Sequence, residues 1–189
     1  MTAGWLVLYL GGALLRALLL MAAAAGIAAL ARRPLRAGDL RVLAPVLFFV
    51  VLTLYPFPDR ATLVCPVPLT EPLLTPLHTL SRLRQLAGEG IGLWLTDLTL
   101  LPAAMNLLIC ATIGLALAAQ RRLGWRGVAV FAAGGTLVIE LTQLTGIWGL
   151  YPCAYRQFDV DDLIFNFAGT LGGFALGRGL QRRGRGVRW

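Results

Sequence analysis

Residues Thr136–Gly177 read TLVIELTQLTGIWGLYPCAYRQFDVDDLIFNFAGTLGGFALG, two apolar segments joined by a short polar connection. On a helix, Glu140 and Gln143 are three apart and share a face. Asp162 and Asn166 are four apart, and Gly169, Gly173 and Gly177 continue that stripe at the same spacing. Arg156, Asp159 and Asp161 lie between the two segments. A carboxylate inside an apolar segment is costly and persists where it has a partner or a task. The stretch therefore predicts two membrane helices carrying a convergent polar cluster, with the remaining chain as its scaffold.

Composition agrees with that reading. Of 189 residues, 58% are hydrophobic and 14% charged, against roughly 45–50% and 25% in soluble domains. Several apolar runs reach the length of about 20 residues that crosses a bilayer. The fold class is all-α: a polytopic transmembrane helical bundle, one membrane domain over residues 1–189. The net charge of +8 rests on 17 basic residues, all of them arginine. They cluster beside apolar spans as topology signals do, which argues against a nucleic-acid partner.

Five spans satisfy the arginine distribution, with the N-terminus outside and the C-terminus cytoplasmic. The first, about Gly4 to Leu30, precedes Arg32, Arg33, Arg36 and Arg41. An n-region without basic side chains, a long apolar run and Arg16 within it argue against a cleaved signal peptide. The second span, about Val42 to Phe57, ends at Tyr55-Pro56-Phe57-Pro58. Pro66, Pro68 and Pro72 keep the next connection extended. Thr75 then suits a helix N-cap with Pro76 at the first helical position. Leu77, Leu80, Leu83 and Leu86 suggest a short amphipathic helix, either on the membrane surface or packed on the bundle. The third span, about Asp97 to Ala119, ends in Gln120-Arg121-Arg122. The fourth covers about Trp125 to Trp148. The fifth runs from about Asp162 to Leu180, before Arg182, Arg183, Arg185 and Arg188.

At about 1.5 Å per helical residue, Asn166, Gln143, Glu140, Asn106 and Arg16 lie roughly 6–16 Å below the outer boundary. Together with Arg156, Asp159, Asp161 and Asp162 they form a candidate ligand-binding cluster that opens outward. On an architectural reading, Arg16–Glu140 would be one buried pair and Arg156 with Asp159 or Asp162 would staple the last loop. The competing reading is architectural, with these groups bonding helices together at about 0.6 kcal/mol per contact. Gly169, Gly173 and Gly177 are expected to allow close helix packing. The acidic residues invite a divalent cation, but their spacing completes no calcium loop and Arg156 competes for them, so no metal is assigned. Lone His78 reads as a surface or interfacial residue. No phosphate loop, nucleophile elbow or zinc-protease motif is present, so no cofactor and no catalytic residue are assigned. Cys65 and Cys153 both fall outside and form a candidate disulfide; Cys110 reads as a packing residue.

These residues resemble the VanZ-like family of bacterial membrane proteins. The resemblance is carried by Glu140-x-x-Gln143, Arg156-x-x-Asp159-x-Asp161-Asp162 and Asn166-x-x-Gly169 with Gly173. Thr53-Leu54-Tyr55-Pro56-Phe57 and Asn106 with Gly114 add to it, although Cys110 and Thr112 stand where the family segment has Phe and Pro. It covers about residues 53–177, with the first span added N-terminally. The resemblance implies a multi-pass protein of the bacterial inner membrane with a cell-envelope role. The family's namesake is associated with low-level resistance to the glycopeptide teicoplanin. The expected partners are membrane lipids and a lipid-linked envelope precursor, whose headgroup the cluster would bind or shield; the residues set no oligomeric state. The alternatives are an intramembrane enzyme acting on a polyprenyl-linked substrate, with Glu140 as acid or base, and a purely structural membrane protein.

Overall fold

The computed structural model describes residues 3–66, 71–88, 90–94, 97–120 and 122–184. Among them are seven helices: α1 (Ala3–Leu30), α2 (Ala37–Leu54), α3 (His78–Gln85), α4 (Ile91–Trp94), α5 (Leu100–Gln120), α6 (Trp125–Leu144) and α7 (Val160–Gly184). Four of them, α1, α2, α5 and α6, are long and apolar enough to cross a membrane. The fifth long helix, α7, has 25 residues, or roughly 37 Å at 1.5 Å per residue, and packs along α5. Pro68, Arg121, Arg185 and Arg188 lie outside the described residues.

Helix boundaries differ from the sequence expectations where a local polar contact intervenes. α2 starts five residues early, because Asp39 accepts the Arg36 N–H at 3.0 Å and closes its first turn. α5 starts at Leu100, three residues late, with the Asp97 carboxylate accepting the N–H groups of Thr99 and Leu100 at 2.9 and 3.0 Å. Those backbone donors hold the Asp97 carboxyl below its ordinary value. α6 stops at Leu144 rather than Trp148. Gly146, Ile147, Trp148 and Gly149 all adopt positive φ, a turn that no right-handed helix contains. Gly146 is obligatory there, since a Cβ would stand 2.6 Å from the Cys153 carbonyl oxygen.

The long helices alternate in direction. Near the start of α1, Tyr9 donates to the Leu52 carbonyl near the end of α2, at 2.7 Å. At the opposite end of the bundle, Gln120 at the end of α5 donates to Gly38 at the start of α2, and Arg122 pairs with Asp39 at 2.8 Å. α6 and α7 are antiparallel: Trp125 stacks edge-on against Phe174, and Asn166 donates to Thr136 at 3.0 Å.

α5 and α7 are parallel, and their register repeats. Asn106 meets Asp162, Cys110 meets Asn166, and Gly114 meets Thr170, each pair 56 residues apart. The seam is close because glycines line it. A Cβ at Gly173 would lie 2.0 Å from the Ala111 oxygen, at Gly169 2.3 Å from the Leu107 oxygen, and at Gly114 2.0 Å from the Thr170 oxygen. Gly177 is less tight, facing the Ala118 methyl at 2.6 Å. Lipid tails are as apolar as the helices, so membrane helices associate by such backbone approach rather than by expelling water.

Gly173→Ala should therefore force α5 and α7 apart and destabilise the protein by about 1–3 kcal/mol, as overpacking does. Thermal unfolding in detergent measures this. Gly172→Ala, where a Cβ meets no atom within 4 Å, should melt like the wild type.

Candidate functional site

The alternation brings one end of every long helix together: the starts of α1, α5 and α7 and the ends of α2 and α6. The connections 55–99 and 145–159 cover that end. Their mutual fastening is dense. Cys65 and Cys153 are disulfide-bonded with Cα atoms 5.9 Å apart. Leu73 forms a parallel bridge to Asp159, with the Leu73 N–H on the Phe158 carbonyl and the Val160 N–H on the Leu73 carbonyl. Gln157 donates to the Glu71 carbonyl at 3.0 Å and Tyr155 to the Leu54 carbonyl at 2.9 Å.

α3 is fastened to the bundle. Its helical start falls two residues beyond the Thr75-Pro76 signal, because Leu77 takes a left-handed conformation with φ 60°. The cap comes from a residue more than 80 positions away. Asp161 accepts the Leu77 N–H with one oxygen and the Thr79 N–H with the other, the latter at 2.8 Å. Arg82 completes the attachment through Asp97 at 2.9 Å. A carboxylate at a helix N-terminus satisfies orphan N–H groups and opposes the positive end of the helix dipole.

The buried polar residues of the cluster are consumed by such contacts. Glu140 is 1% exposed, Asp161 1%, Asn166 2% and Gln143 3%. Glu140 accepts the Asp159 N–H at 3.1 Å. Gln143 donates to the Thr53 carbonyl at 2.8 Å. Asn166 links Thr136 and Cys110. Asp159 accepts the Asp161 N–H at 2.9 Å, and burial pushes its carboxyl above the ordinary range. Among the described residues no buried side-chain nitrogen or oxygen lacks a partner.

Two pairings anticipated from the sequence do not form. Arg16 does not reach Glu140. It lies over the Tyr55 ring, 3.9 Å from the centroid, and donates to the Tyr55 hydroxyl at 2.8 Å. Tyr55 ends α2 on the neighbouring side of α1, so the guanidinium is satisfied before it can enter the bundle. Arg156 makes no ion pair within 4 Å of Asp159 or Asp162. Asp162 instead accepts from Asn106 at 2.8 Å, and the Asp159 position is filled by His78. The His78 ring stands between two carboxylates, Nε2 3.4 Å from Asp159 and Nδ1 3.1 Å from Asp161. No local spacing pointed to this residue, because its partners are 81 and 83 positions distant. His78, Asp159 and Asp161 offer three ligand atoms within 4.8 Å of one another. Both Asp161 oxygens already accept the Leu77 and Thr79 N–H groups, and one Asp159 oxygen accepts the Asp161 N–H.

What is left open is a pocket of about 310 Å³ at the covered end, bordered by all five long helices and the two connections. Asn106, Gln143, Arg156 and Asp162 supply its polar wall, with Asp97 at the edge and Leu52, Leu101 and Met105 on the apolar side. Arg156 is exposed and makes no ion pair within 4 Å among the described residues, although its charge acts on nearby Asp162 and Glu140. Asn106 and Asp162 add a donor and acceptor beside it. Such a mixture of one cation, few directed polar groups and apolar walls is typical of small-ligand sites, at the small end of the usual 300–1,000 Å³.

The fold and this polar end define a helical membrane protein of the polytopic class. Residues 42–181 match the VanZ/LLP1 family, and the chain belongs to that family. The match extends beyond the residues 53–177 on which the sequence resemblance rested. No curated protein and no solved structure matches the chain.

Two outcomes test this geometry. Without reductant, mass tagging of denatured protein should label one thiol, Cys110, and reduction should raise the count to all three cysteines. Asp161→Ala should loosen the first turn of α3 by about 0.5–2 kcal/mol, the usual cost of losing a cap. Hydrogen exchange at Leu77–Arg82 reads that loss, while the α5–α7 seam should keep its protection.

Proposed function

We propose that this VanZ-family protein sits in the bacterial cytoplasmic membrane and binds the headgroup of a surface lipid-linked envelope component. α7 serves as a fifth span, giving an N-terminus outside and a C-terminus inside. Arg32, Arg33, Arg36, Arg41, Arg122, Arg126, Arg178, Arg182 and Arg183 gather at the end opposite the pocket, which is the distribution of cytoplasmic loops. A disulfide between Cys65 and Cys153 at the pocket end fits an oxidising exterior.

The observation that carries the reading is the pocket itself, where Arg156 faces open space with Asn106, Gln143 and Asp162 around it. Arginine suits a phosphate through its forked donors. Asn106 and Asp162 would read hydroxyl or amine groups next to that phosphate. Occupation of the headgroup would lower the access of a glycopeptide such as teicoplanin to its surface target. Glu140, Asp159, Asp161 and Asn166 act as the frame around it. Glu140 does not line the pocket, so the geometry favours binding over proton transfer from that carboxyl.

In a sensitive bacterial host, expression of the wild type should lower teicoplanin susceptibility, and Arg156→Ala at equal membrane abundance should abolish that protection. A hydrogen bond to a charged group is worth about 1.5–3 kcal/mol, so headgroup affinity should fall by about tenfold or more. Full protection by Arg156→Ala would defeat the assignment.

A further inference from the structure

Below the outer pocket, on the side toward the arginine-rich end, lies an apolar recess of about 320 Å³. It shares no lining residue with the pocket, and the Gln143–Thr53 bond at 2.8 Å ties α6 to α2 between them. The recess opens sideways. Phe131, Gly134, Gly135 and Val138 of α6 line it and are exposed on the flank of the bundle. A Cβ at Gly134 or Gly135 would meet no atom within 4 Å, so these glycines leave a slot beside α2. The polar atoms bordering it are already engaged. Asn166 donates to Thr136, Cys110 donates to Asn166, and the Thr170 hydroxyl donates to the Asn166 carbonyl at 3.0 Å. What an occupant meets is hydrocarbon.

Away from the pocket the slot continues. Among the described residues, no hydrogen bond or ion pair joins α2 to α6 besides Gln143–Thr53. The start of α2 is fastened to the end of α5 instead, through Gln120 and Gly38. A hollow of about 460 Å³ opens there, and it shares Val46 and Phe131 with the recess. The two are one groove. From Asp39 to Val50 it follows α2 for about 16 Å at about 1.5 Å per residue. That is the depth of one leaflet in a hydrocarbon core about 30 Å thick. The groove's mouth carries surplus positive charge. Arg122 pairs with Asp39 at 2.8 Å, and Arg36 acts on the same carboxylate. Asp39 is the one acidic residue in 31–46 and 115–132, so two guanidinium groups share one carboxylate. Both arginines are exposed.

We propose that this groove holds an anionic phospholipid from the leaflet at the arginine-rich end. Its phosphate lies at Arg36 and Arg122, and one acyl chain runs between α2 and α6 as far as Gly134 and Gly135. The site is separate from the Arg156 pocket and does not depend on the headgroup reading. A lipid can enter from the side, because the flank is open, and its second chain stays in the bilayer. Transfer of a chain from lipid into the groove gains no hydrophobic free energy, because both surroundings are apolar. The preference therefore comes from the head, where basic residues between membrane helices attract anionic lipids. The bound chain fills the space that α2 and α6 leave between them.

The test uses full-length protein in phosphatidylcholine nanodiscs containing a small fraction of a lipid with a diazirine in one chain. That lipid is phosphatidylglycerol in one sample and phosphatidylcholine in the other. Adducts on Val46–Val50 of α2 and Phe131–Ile139 of α6 are compared with those on exposed Leu15 and Leu19 of α1. Phosphatidylglycerol should label the groove about fivefold more than phosphatidylcholine does, with no such preference at α1. Arg36→Gln and Arg122→Gln should each remove that preference. Gly134→Phe and Gly135→Phe each fill open space, and each should remove most groove adducts while melting like the wild type. Equal labelling of the groove by both lipids would overturn the anionic assignment. Wild-type groove labelling in both phenylalanine variants would show that the chain lies elsewhere, and the proposal would fall. If neither lipid labels the groove and the nanodiscs hold dimers, a second copy fills it and the proposal fails.

Discussion

Backbone contact between α5 and α7 sets most of what this protein can do. Carbonyl oxygens of Leu107 and Ala111 stand where the Cβ atoms of Gly169 and Gly173 would be, and the Thr170 oxygen stands where that of Gly114 would be. Parallel helices at that distance must share a register, and the register pairs Asn106 with Asp162 and Cys110 with Asn166. Because the two helices run in the same direction, α6 has to return between them. Its last turns, with Glu140 and Gln143, then meet the first turns of α5 and α7. The polar end of the bundle is thus a geometric result of a glycine-lined seam in the apolar part.

That end divides into a frame and an opening. In the frame, each donor and acceptor has a partner, as groups withdrawn from water must. Asp161 illustrates the economy: one carboxylate caps α3, contacts His78 and sits in the first turn of α7, where the helix dipole favours negative charge. The disulfide, the Leu73–Asp159 bridge and the Tyr155 hydroxyl hold both connections to the same frame. Groups fixed in this way have little freedom to take a ligand. Arg156 stands apart from them, on a connection that is anchored on both sides of it, and so presents its charge to the pocket at a defined place.

The stacking of a polar pocket on an apolar recess follows from the same four helices. Their outer turns carry side chains able to bond, and the turn below carries Val50, Ile139 and the satisfied Asn166. Gly134 and Gly135 keep the flank of that lower turn open, since a Cβ at either would meet no atom within 4 Å. The glycines of α5 and α7 close a helix pair, while those of α6 leave a space, and only their neighbours make the difference.

Much of the architecture was legible in the chain because the bilayer imposes it. Apolar length and the small-residue stripe at Gly169, Gly173 and Gly177 each have a direct physical meaning inside hydrocarbon, where a span must satisfy its own backbone and small side chains permit close approach. Depth along a helix was legible too, since rise per residue is constant. Azimuth was not. Arg16 and Glu140 were placed at compatible heights, but Arg16 faces Tyr55 on the α2 side, and height alone cannot tell the two apart. The partners of Arg156 and His78 depended on how two long connections fold over the bundle, and contacts more than 80 residues apart leave no local pattern. Local pattern thus yields an all-helical membrane protein with its polar residues toward one end. Which of them bond to one another and which face open space depends on helix rotation and loop closure, neither of which local periodicity encodes.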